Sequence, residues 1–405
     1  MGNAIKKAGA TMICGVQNSM PSTASQLVGP CPRPAVLVSE DHDDVLAAIS
    51  LLLKNNGFEI EPVKSPAETL AAVRRRSFDA VLLDLNYSRD TTSGVEGLEL
   101  ISQLQALDSG MPIIVMTAWG TIELAVEAMH RGASDFVQKP WENARMLEVL
   151  RGQMQKANER RQTRLSERME LEEAAQIQKA LLPARASAAA GLTISAATHA
   201  VRNVSGDYYD VIPLDQHRSA ICIADVMGKG MGAALLMSNL QATVRLLAPQ
   251  IDEPQELCSR LNRSISSNGM PGRFITFFYG IIDVRTMKIT YTNAGHNWPV
   301  LAHADGACDR LRTDDAVLGT FWNWTYRQSE VDLRSGDRLA LFTDGITECA
   351  DASGNEFGEE QLCRLISDNV HFPAAVLEQL AMSAVQTHSR GSFADDATLV
   401  VAAIK

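Results

Sequence analysis

No two cysteines of this chain are spaced C-x-x-C. The seven present, Cys14, Cys31, Cys222, Cys258, Cys308, Cys349 and Cys363, are scattered and odd in number. Disulfide frameworks and zinc sites both want close, paired spacing, so the cysteines read as small buried hydrophobes in a reducing cytoplasm. Long apolar runs are also missing. The longest, around 46–53 and 113–119, fall far short of the roughly 18–20 residues of a membrane span. Basic excess is lacking too: the net charge of −11 works against broad binding to nucleic acid, which needs clustered Lys and Arg. No helix-turn-helix pattern closes the chain. These absences predict a soluble cytoplasmic protein with neither membrane nor nucleic acid as a partner.

What is present is ordinary globular composition, 46% hydrophobic and 21% charged over 405 residues. That excludes wholesale disorder and argues for two or three domains. Lys6 and Lys7 ahead of Ala8–Val16 imitate a signal peptide without a clear cleavage site, and Lys6 stands where a myristoylation signal wants Ser or Thr. Residues 1–33, aperiodic and ending in a Gly/Pro-rich stretch, read as a flexible leader.

Three textures follow. In residues 34–141 short apolar runs (Val36–Val38, Val81–Leu83, Ile113–Met116, Phe136–Val137) alternate with helical patterns at Val45–Asn55, Ala67–Arg75, Gly97–Leu107 and Ile122–His130. Alternation of this kind predicts right-handed crossovers and an α/β doubly wound parallel sheet. Residues 142–185 form one long helical pattern, rich in Arg and Glu, with apolar positions Leu147, Leu150, Met154 and Ala157 and then, in a slipped register, Leu165, Met169, Ile177 and Leu181. It reads either as a dimerising coiled coil with a stutter or as a solvated single helix. Residues 186–405 turn strand-rich, with strands predicted at Ile194–His199, Ser219–Ala224, Phe274–Asp283, Lys288–Asn293, Arg338–Thr343 and Ala397–Ala402 and helices at Ala233–Leu247 and Gln255–Ser267. That grouping suggests an α+β sandwich.

Strand ends of a parallel sheet gather polar residues at one edge, where ligands bind. Here those residues are Glu40 and Asp41 after the first strand, Asp84 after the third, Thr117 after the fourth and Lys139 after the fifth. Three carboxylates beside one lysine repel unless a hard cation joins them, and oxygen ligands suit Mg²⁺. The set resembles the response-regulator receiver family (flavodoxin-like), over about Ala35–Leu150. The resemblance implies Asp84 as phosphoacceptor from a sensor histidine kinase, and Glu40, Asp41, Asp84 and the Asn86 carbonyl around Mg²⁺. It also implies Thr117, Phe136 and Lys139 as the switch set, with a typically cis bond before Pro140. Thr117 would then bind the new phosphoryl oxygen and draw Phe136 inward. The loop Tyr87–Gly94 is longer than the family's usual connection.

The C-terminal part carries four acidic signatures, each against a predicted strand: Gly206-Asp207-Tyr208-Tyr209-Asp210, Ala224-Asp225-Val226-Met227-Gly228-Lys229-Gly230, Phe342-Thr343-Asp344-Gly345 and Asp395-Asp396-Ala397-Thr398. Carboxylates so dispersed meet only at one edge of a sandwich, and a group of them there calls for two divalent cations, a common arrangement for phosphate-ester hydrolysis. The set resembles the metal-dependent Ser/Thr protein phosphatases (type 2C), in their bacterial sporulation and stress-response branch. The resemblance implies Asp225, the Val226 carbonyl, Asp344, Asp395 and Asp207 around two Mn²⁺ or Mg²⁺ ions, with Asp210 and Asp396 in support.

Lys229 stands where many relatives carry His, and Arg202 and Lys229 are the nearest cations to hold phosphate or are ordinary surface charges. In Asn293-Ala294-Gly295-His296-Asn297, His296 reads as part of a structural turn rather than a general acid. No Ser or Cys with a partnered His emerges, so one-step hydrolysis is expected. The segment Ala175–Pro183 resembles the family's regulatory switch helix, and Ile177 with Leu181 is expected to dock on the catalytic core. The substrate implied is a phosphorylated anti-sigma-factor antagonist of the STAS fold, with a homodimer formed through the helix. The competing reading is a non-catalytic adaptor that uses the phosphatase fold to dock a partner.

Overall fold

The apolar runs of the N-terminal part are covered on both faces, which is why they are nearly unbroken. The computed structural model describes residues 33–87, 95–117, 122–183, 186–189, 191–267, 272–313 and 315–405. Most of the leader, with Cys14 and Cys31, and the loop after Tyr87 lie outside the described residues. The chain divides into two compact units, Met1–Arg164 and Leu165–Lys405.

The first unit alternates β1 (Ala35–Ser39), α1 (Asp43–Asn55), β2 (Glu59–Val63), α2 (Pro66–Arg75), β3 (Ala80–Asp84), α3 (Val95–Leu107), β4 (Ile113–Thr117), α4 (Ile122–His130) and β5 (Asp135–Gln138), and ends in the first part of α5 (Asn143–Leu181). The five strands are parallel in the order β2-β1-β3-β4-β5. On one face Val36, Val38, Leu82, Ile114 and Met116 pack with Leu46, Ile49 and Leu53 of α1 and with Met146, Val149, Leu150 and Met154 of α5. On the other, Leu37, Val81, Leu83, Ile113 and Val115 pack with Ala72, Leu98, Ile101, Leu104 and Ala128. The strand that apolar runs did not reveal is β2. Its sequence, Glu59-Ile60-Glu61-Pro62-Val63, alternates charge and carries a proline, which only an edge strand tolerates.

The second unit holds the rest of α5, then β6 (Ala186–Ala189), β7 (Leu192–His199), β8 (Tyr208–Pro213), β9 (Arg218–Val226), α6 (Met231–Leu247), α7 (Pro254–Ser267), β10 (Ile275–Asp283), β11 (Lys288–Ala294), β12 (Val300–Ala302), β13 (Cys308–Arg310), β14 (Ser329–Asp332), β15 (Arg338–Phe342), α8 (Asp344–Thr347), α9 (Glu359–Asp368), α10 (Ala374–His388) and β16 (Ala397–Ile404). Two antiparallel sheets, β14-β11-β10-β9-β8 and β13-β12-β15-β16-β7-β6, stack face to face. Ile221, Ile223 and Phe278 of one meet Ile194, Leu339, Leu341 and Val400 of the other in the central core. Alternate residues of the first sheet (Cys222, Ala224, Phe277, Tyr279) bury under α6 and α7, and those of the second (Ala340, Phe342, Leu399, Val401) under α9 and α10. The period of two along each strand thus feeds a four-layer sandwich.

Two expectations are corrected. Cys308 on β13 and Cys363 on α9 are joined in a disulfide, because the packing of helix on strand brings together residues that sequence spacing keeps far apart. Cys222, Cys258 and Cys349 are buried and free as expected. Ile177 does not dock on the core: its side chain is 60% exposed. What docks is its neighbour Gln178, whose Nε2 donates to the Ser205 carbonyl at 2.8 Å and whose Oε1 accepts from the Ser205 amide at 2.9 Å. Leu181 is half-buried, its carbonyl accepting from Gln241 Nε2 at 3.2 Å, and Leu182 packs against both neighbouring cores. Among the described residues no helix is long and apolar enough to cross a membrane.

Candidate functional site

At the carboxyl edge of the parallel sheet, donor atoms of Glu40, Asp41, His42 and Asp84 all lie within 4.8 Å of one another. Lys139 Nζ donates to Glu40 Oε2 at 2.6 Å and to Asp84 Oδ2 at 2.9 Å. Burial pushes the Glu40 carboxyl up, more than its contact with Lys139 holds it down. Burial alone would push Lys139 down, but Asp84 and Glu40 outweigh it and the ammonium is held up. Thr117 is buried and its carbonyl accepts from the Lys139 amide at 2.7 Å, while Phe136 points out, 46% exposed. The Lys139–Pro140 bond is cis. Two residues after Asp84, Asn86 Oδ1 is buried with no hydrogen-bond partner among the described residues. Three carboxylates with an orphaned oxygen acceptor fit a hard divalent cation, and a ring nitrogen of His42 stands beside them. His42 is the member that sequence reasoning left out.

The second site lies where the ends of both antiparallel sheets meet. Asp207 precedes β8, Asp225 and Val226 end β9, Asp344 opens α8 after β15, and Asp395 and Asp396 precede β16. Asp207 Oδ2 accepts from Thr343 Oγ1 at 2.9 Å and from Thr398 Oγ1 at 2.6 Å, so a carboxylate of one sheet is tied to the other. Burial first, then the charge of Asp225, raises Asp207 well above the usual carboxylate range, against those two hydroxyls. Asp225 is pushed up to about 7 by burial and then by Asp344, Asp395 and Asp396. Asp344 is raised by burial and by Asp395. These carboxylates crowd one another electrostatically, the condition that a bound cation relieves. Lys229 meets Asp395 Oδ2 at 2.9 Å and donates to the Ala394 carbonyl at 2.7 Å. Asp396 accepts from the Val201 amide at 2.8 Å and the Gly206 amide at 3.0 Å, which fixes the approach to Asp207.

Asp210 is not part of this group. It is fully buried on β8, accepting from Arg245 Nε at 2.7 Å and Tyr208 Oη at 2.8 Å, because strand alternation turns it with Tyr208 toward the helix layer. His296 is structural. Its Nε2 lies 3.1 Å from the Phe342 carbonyl, which can only accept, so Nδ1 accepts from Thr276 Oγ1 at 2.8 Å. The ring thereby links β10 to β15, and burial lowers its pKa to about 4.

Sequence reading missed Arg273. Its Nη1 donates to the Met227 carbonyl at 3.0 Å, and a Cβ at Gly228 would lie 2.7 Å from it. Arg202 covers Gly230 in the same way, at 3.2 Å. Alternate glycines directly after Asp225 were the available signal: guanidinium planes lie flat only where side chains are absent.

The parallel sheet with its acidic edge is that of a receiver domain, and the four-layer sandwich has the fold of a type 2C phosphatase domain. Residues 36–151 match the response regulator receiver domain, and residues 215–405 match the stage II sporulation protein E (SpoIIE) family. The chain is 34% identical over 187 residues to the phosphoserine phosphatase RsbU of Bacillus subtilis, covering 46% of this chain and 55% of that protein. It is 28% identical over 262 residues to protein IcfG of Synechocystis, covering 58% of this chain and 41% of that protein. The chain thus spans about half the length of the curated relatives it matches. The PP2C domain of SiaA from Pseudomonas aeruginosa shares the fold, with a TM-score of 0.51 at 19% identity over 59% of this chain and 97% of that domain.

Two outcomes follow from this geometry. A Cβ at Gly345 would lie 2.0 Å from the Asp396 carbonyl oxygen, so Gly345→Ala should destabilise the second unit by about 3 kcal/mol or more, whereas Gly152→Ala, in open space inside α5, should stabilise the first unit by about 0.5–1 kcal/mol. Urea melts of both variants check this. His296 titrates at 6.5 when unfolded and about 4 when folded, so the unfolded chain binds the proton first. Stability present above pH 6.5 is therefore lost as pH falls toward 4, by up to about 3 kcal/mol from this group. His296→Gln, with no proton to gain, should flatten the urea midpoint between pH 7 and 4.

Proposed function

We propose that the chain is a cytoplasmic response regulator whose output is hydrolysis of phosphoserine or phosphothreonine on a protein, with an anti-sigma-factor antagonist of the STAS fold as substrate. The observation that carries it is the gathering of Asp207, Asp225, Asp344 and Asp395 at one sandwich edge, where burial and mutual repulsion raise Asp225 to about 7. A dead docking domain has no use for such a costly group of like charges. The likeness to RsbU, a phosphoserine phosphatase, supports the same reading.

In the receiver, Asp84 attacks the phosphoryl group of a histidine kinase. A P–O bond to Asp84 forms as the P–N bond to imidazole breaks, and Lys139 stays within reach to neutralise the acyl phosphate. Glu40, Asp41, Asp84 and Asn86 are the residues to hold Mg²⁺. Thr117 and the outward Phe136 are the two-state element. In the phosphatase, Asp225 with the Val226 carbonyl, Asp344, Asp395 and Asp207 are the residues to hold two divalent cations, Mn²⁺ or Mg²⁺. When bound, such cations polarise the phosphoryl group and lower the pKa of water. Asp396 and the hydroxyls of Thr343 and Thr398 orient the carboxylates, Lys229 keeps Asp395 in place, and Arg273 is positioned to meet phosphoryl oxygens. A water oxygen bonds to phosphorus as the P–O bond to the serine or threonine oxygen breaks, and the proton released by the water ends on that departing oxygen, giving inorganic phosphate and the free hydroxyl.

The signal arrives through α5, paired with a second copy in a homodimer. Its last turns reach the catalytic edge through Gln178, which grips Ser205 two residues before Asp207. Gln178→Ala should change basal phosphate release about tenfold or more and abolish its response to beryllofluoride at Asp84, with receiver modification unaltered. Phosphate release from the phosphorylated antagonist, with and without divalent metal, tests the whole reading. Asp225→Asn and Asp344→Asn should be inactive yet folded, and full turnover by either would sink it.

A further inference from the structure

An aromatic turn stands beside the catalytic edge, and no step of the hydrolysis uses it. Phe321, Trp322 and Trp324 are 53%, 68% and 40% exposed. Single exposed apolar side chains are ordinary on a protein surface, but three large aromatics within four residues are not. The turn is firmly held. Asn262, fully buried on α7, donates Nδ2 to the Phe321 carbonyl at 2.6 Å and accepts from the Gly319 amide at 2.8 Å. The Trp324 amide donates to the Phe321 carbonyl at 3.1 Å, and its indole Nε1 reaches Asp315 at 3.3 Å. Tyr326 anchors the far end in the core. The backbone is thus already ordered, so little further entropy is lost when something packs on the exposed rings.

The turn is attached to the catalytic edge by hydrogen bonds. Leu318 exchanges both backbone bonds with Ile275, at 3.0 and 2.9 Å, and Ile275 pairs in register with Val226, next to Asp225. The Met227 amide donates to the Phe274 carbonyl at 3.0 Å, and Gly319 lies against Arg273 and Phe274 on the same strand end. Met227 and Met231, 44% and 41% exposed, add apolar surface in the segment directly after Asp225.

We propose that this rim is the docking surface for the phosphoprotein substrate, an apolar patch of its folded surface, built from residues distant in sequence from the phosphorylated one, packing on Phe321 and Trp322 while the phosphoryl group enters the carboxylate edge. The occupant follows from continuity: a protein that delivers phosphoserine to Asp225 covers the surface one strand away. An acidic catalytic edge also favours a substrate flank that is apolar rather than acidic. Tryptophan in such a place is the residue type that most often dominates an interface. This proposal rests on the phosphatase reading and adds how a folded substrate is recognised.

The test uses the full chain with divalent metal and three phosphate sources: p-nitrophenyl phosphate, the serine-phosphorylated antagonist protein, and a short phosphoserine peptide with the antagonist's local sequence. For Trp322→Ala and Phe321→Ala, kcat/KM on the phosphoprotein should fall about tenfold or more, mainly through KM, while the aryl phosphate and the peptide stay within about twofold. Trp322→Phe should keep most of the phosphoprotein activity. Equal loss on all three sources would mean that the turn only supports the metal edge, and no loss on the phosphoprotein would mean that nothing docks there; either overturns the proposal. A second copy as occupant would appear as a concentration-dependent mass lost in the variants with phosphoprotein turnover intact, which also overturns it. Wild-type hydrolysis of the aryl phosphate without the phosphoprotein would make the named occupant wrong, whereas hydrolysis of neither would defeat the phosphatase reading itself.

Discussion

Asp207 belongs to one sheet of the C-terminal sandwich and accepts its hydrogen bonds from Thr343 and Thr398 of the other. The two threonines are themselves laced together, the Thr343 amide donating to the Thr398 carbonyl at 3.0 Å and the Thr398 amide to Thr343 Oγ1 at 2.9 Å. Asp344 follows Thr343 directly, and Asp395 and Asp396 lie three and two residues before Thr398. The join that registers one sheet against the other therefore also places the acidic residues. His296 adds a second tie between β10 and β15 a short way along. Each such bond contributes only about 1 kcal/mol net, but losing one would leave a buried carboxylate or imidazole unpartnered, at greater cost.

A fold that brings four carboxylates together does so against their charge. Asp225, at about 7 even with Lys229 nearby, carries a proton for part of the time at neutral pH when no cation is bound. The backbone does not relax to separate the group, because the Asp344–Gly345 step is pressed on the Asp396 carbonyl so closely that only glycine fits. Lys229 offsets part of the repulsion, lowering both Asp225 and Asp344. The remainder is repulsion that a bound cation would relieve. The receiver meets the same problem with Lys139, which reaches Glu40 and Asp84 at once.

The acidic edges were legible because each carboxylate abuts a strand whose apolar period is plain in the sequence, and strand ends share an edge whatever the loops do. Asp210 was misread although the information was there: three residues from Asp207 it falls on the opposite parity, with Tyr208, toward α6 and Arg245. Ile177 was chosen over Gln178 on the assumption that helices dock through apolar side chains. The surface offered to α5 at that point is the backbone of Ser205, which an amide matches and an isoleucine cannot. Arg273 and the Cys308–Cys363 bridge were beyond reach for a different reason. Both depend on distances between residues some 45 or more apart in sequence, fixed only when helices and strands are packed.

Between its buried ends α5 carries a stretch, Asn158–Glu173, in which every residue is exposed. Within one chain no core includes those residues. A helix advances 100° per residue, so adding or removing seven brings its far end back to within about 20° of the same rotational phase, whereas two or five would turn it to another face. The stretch is therefore a spacer whose length is quantised rather than fixed.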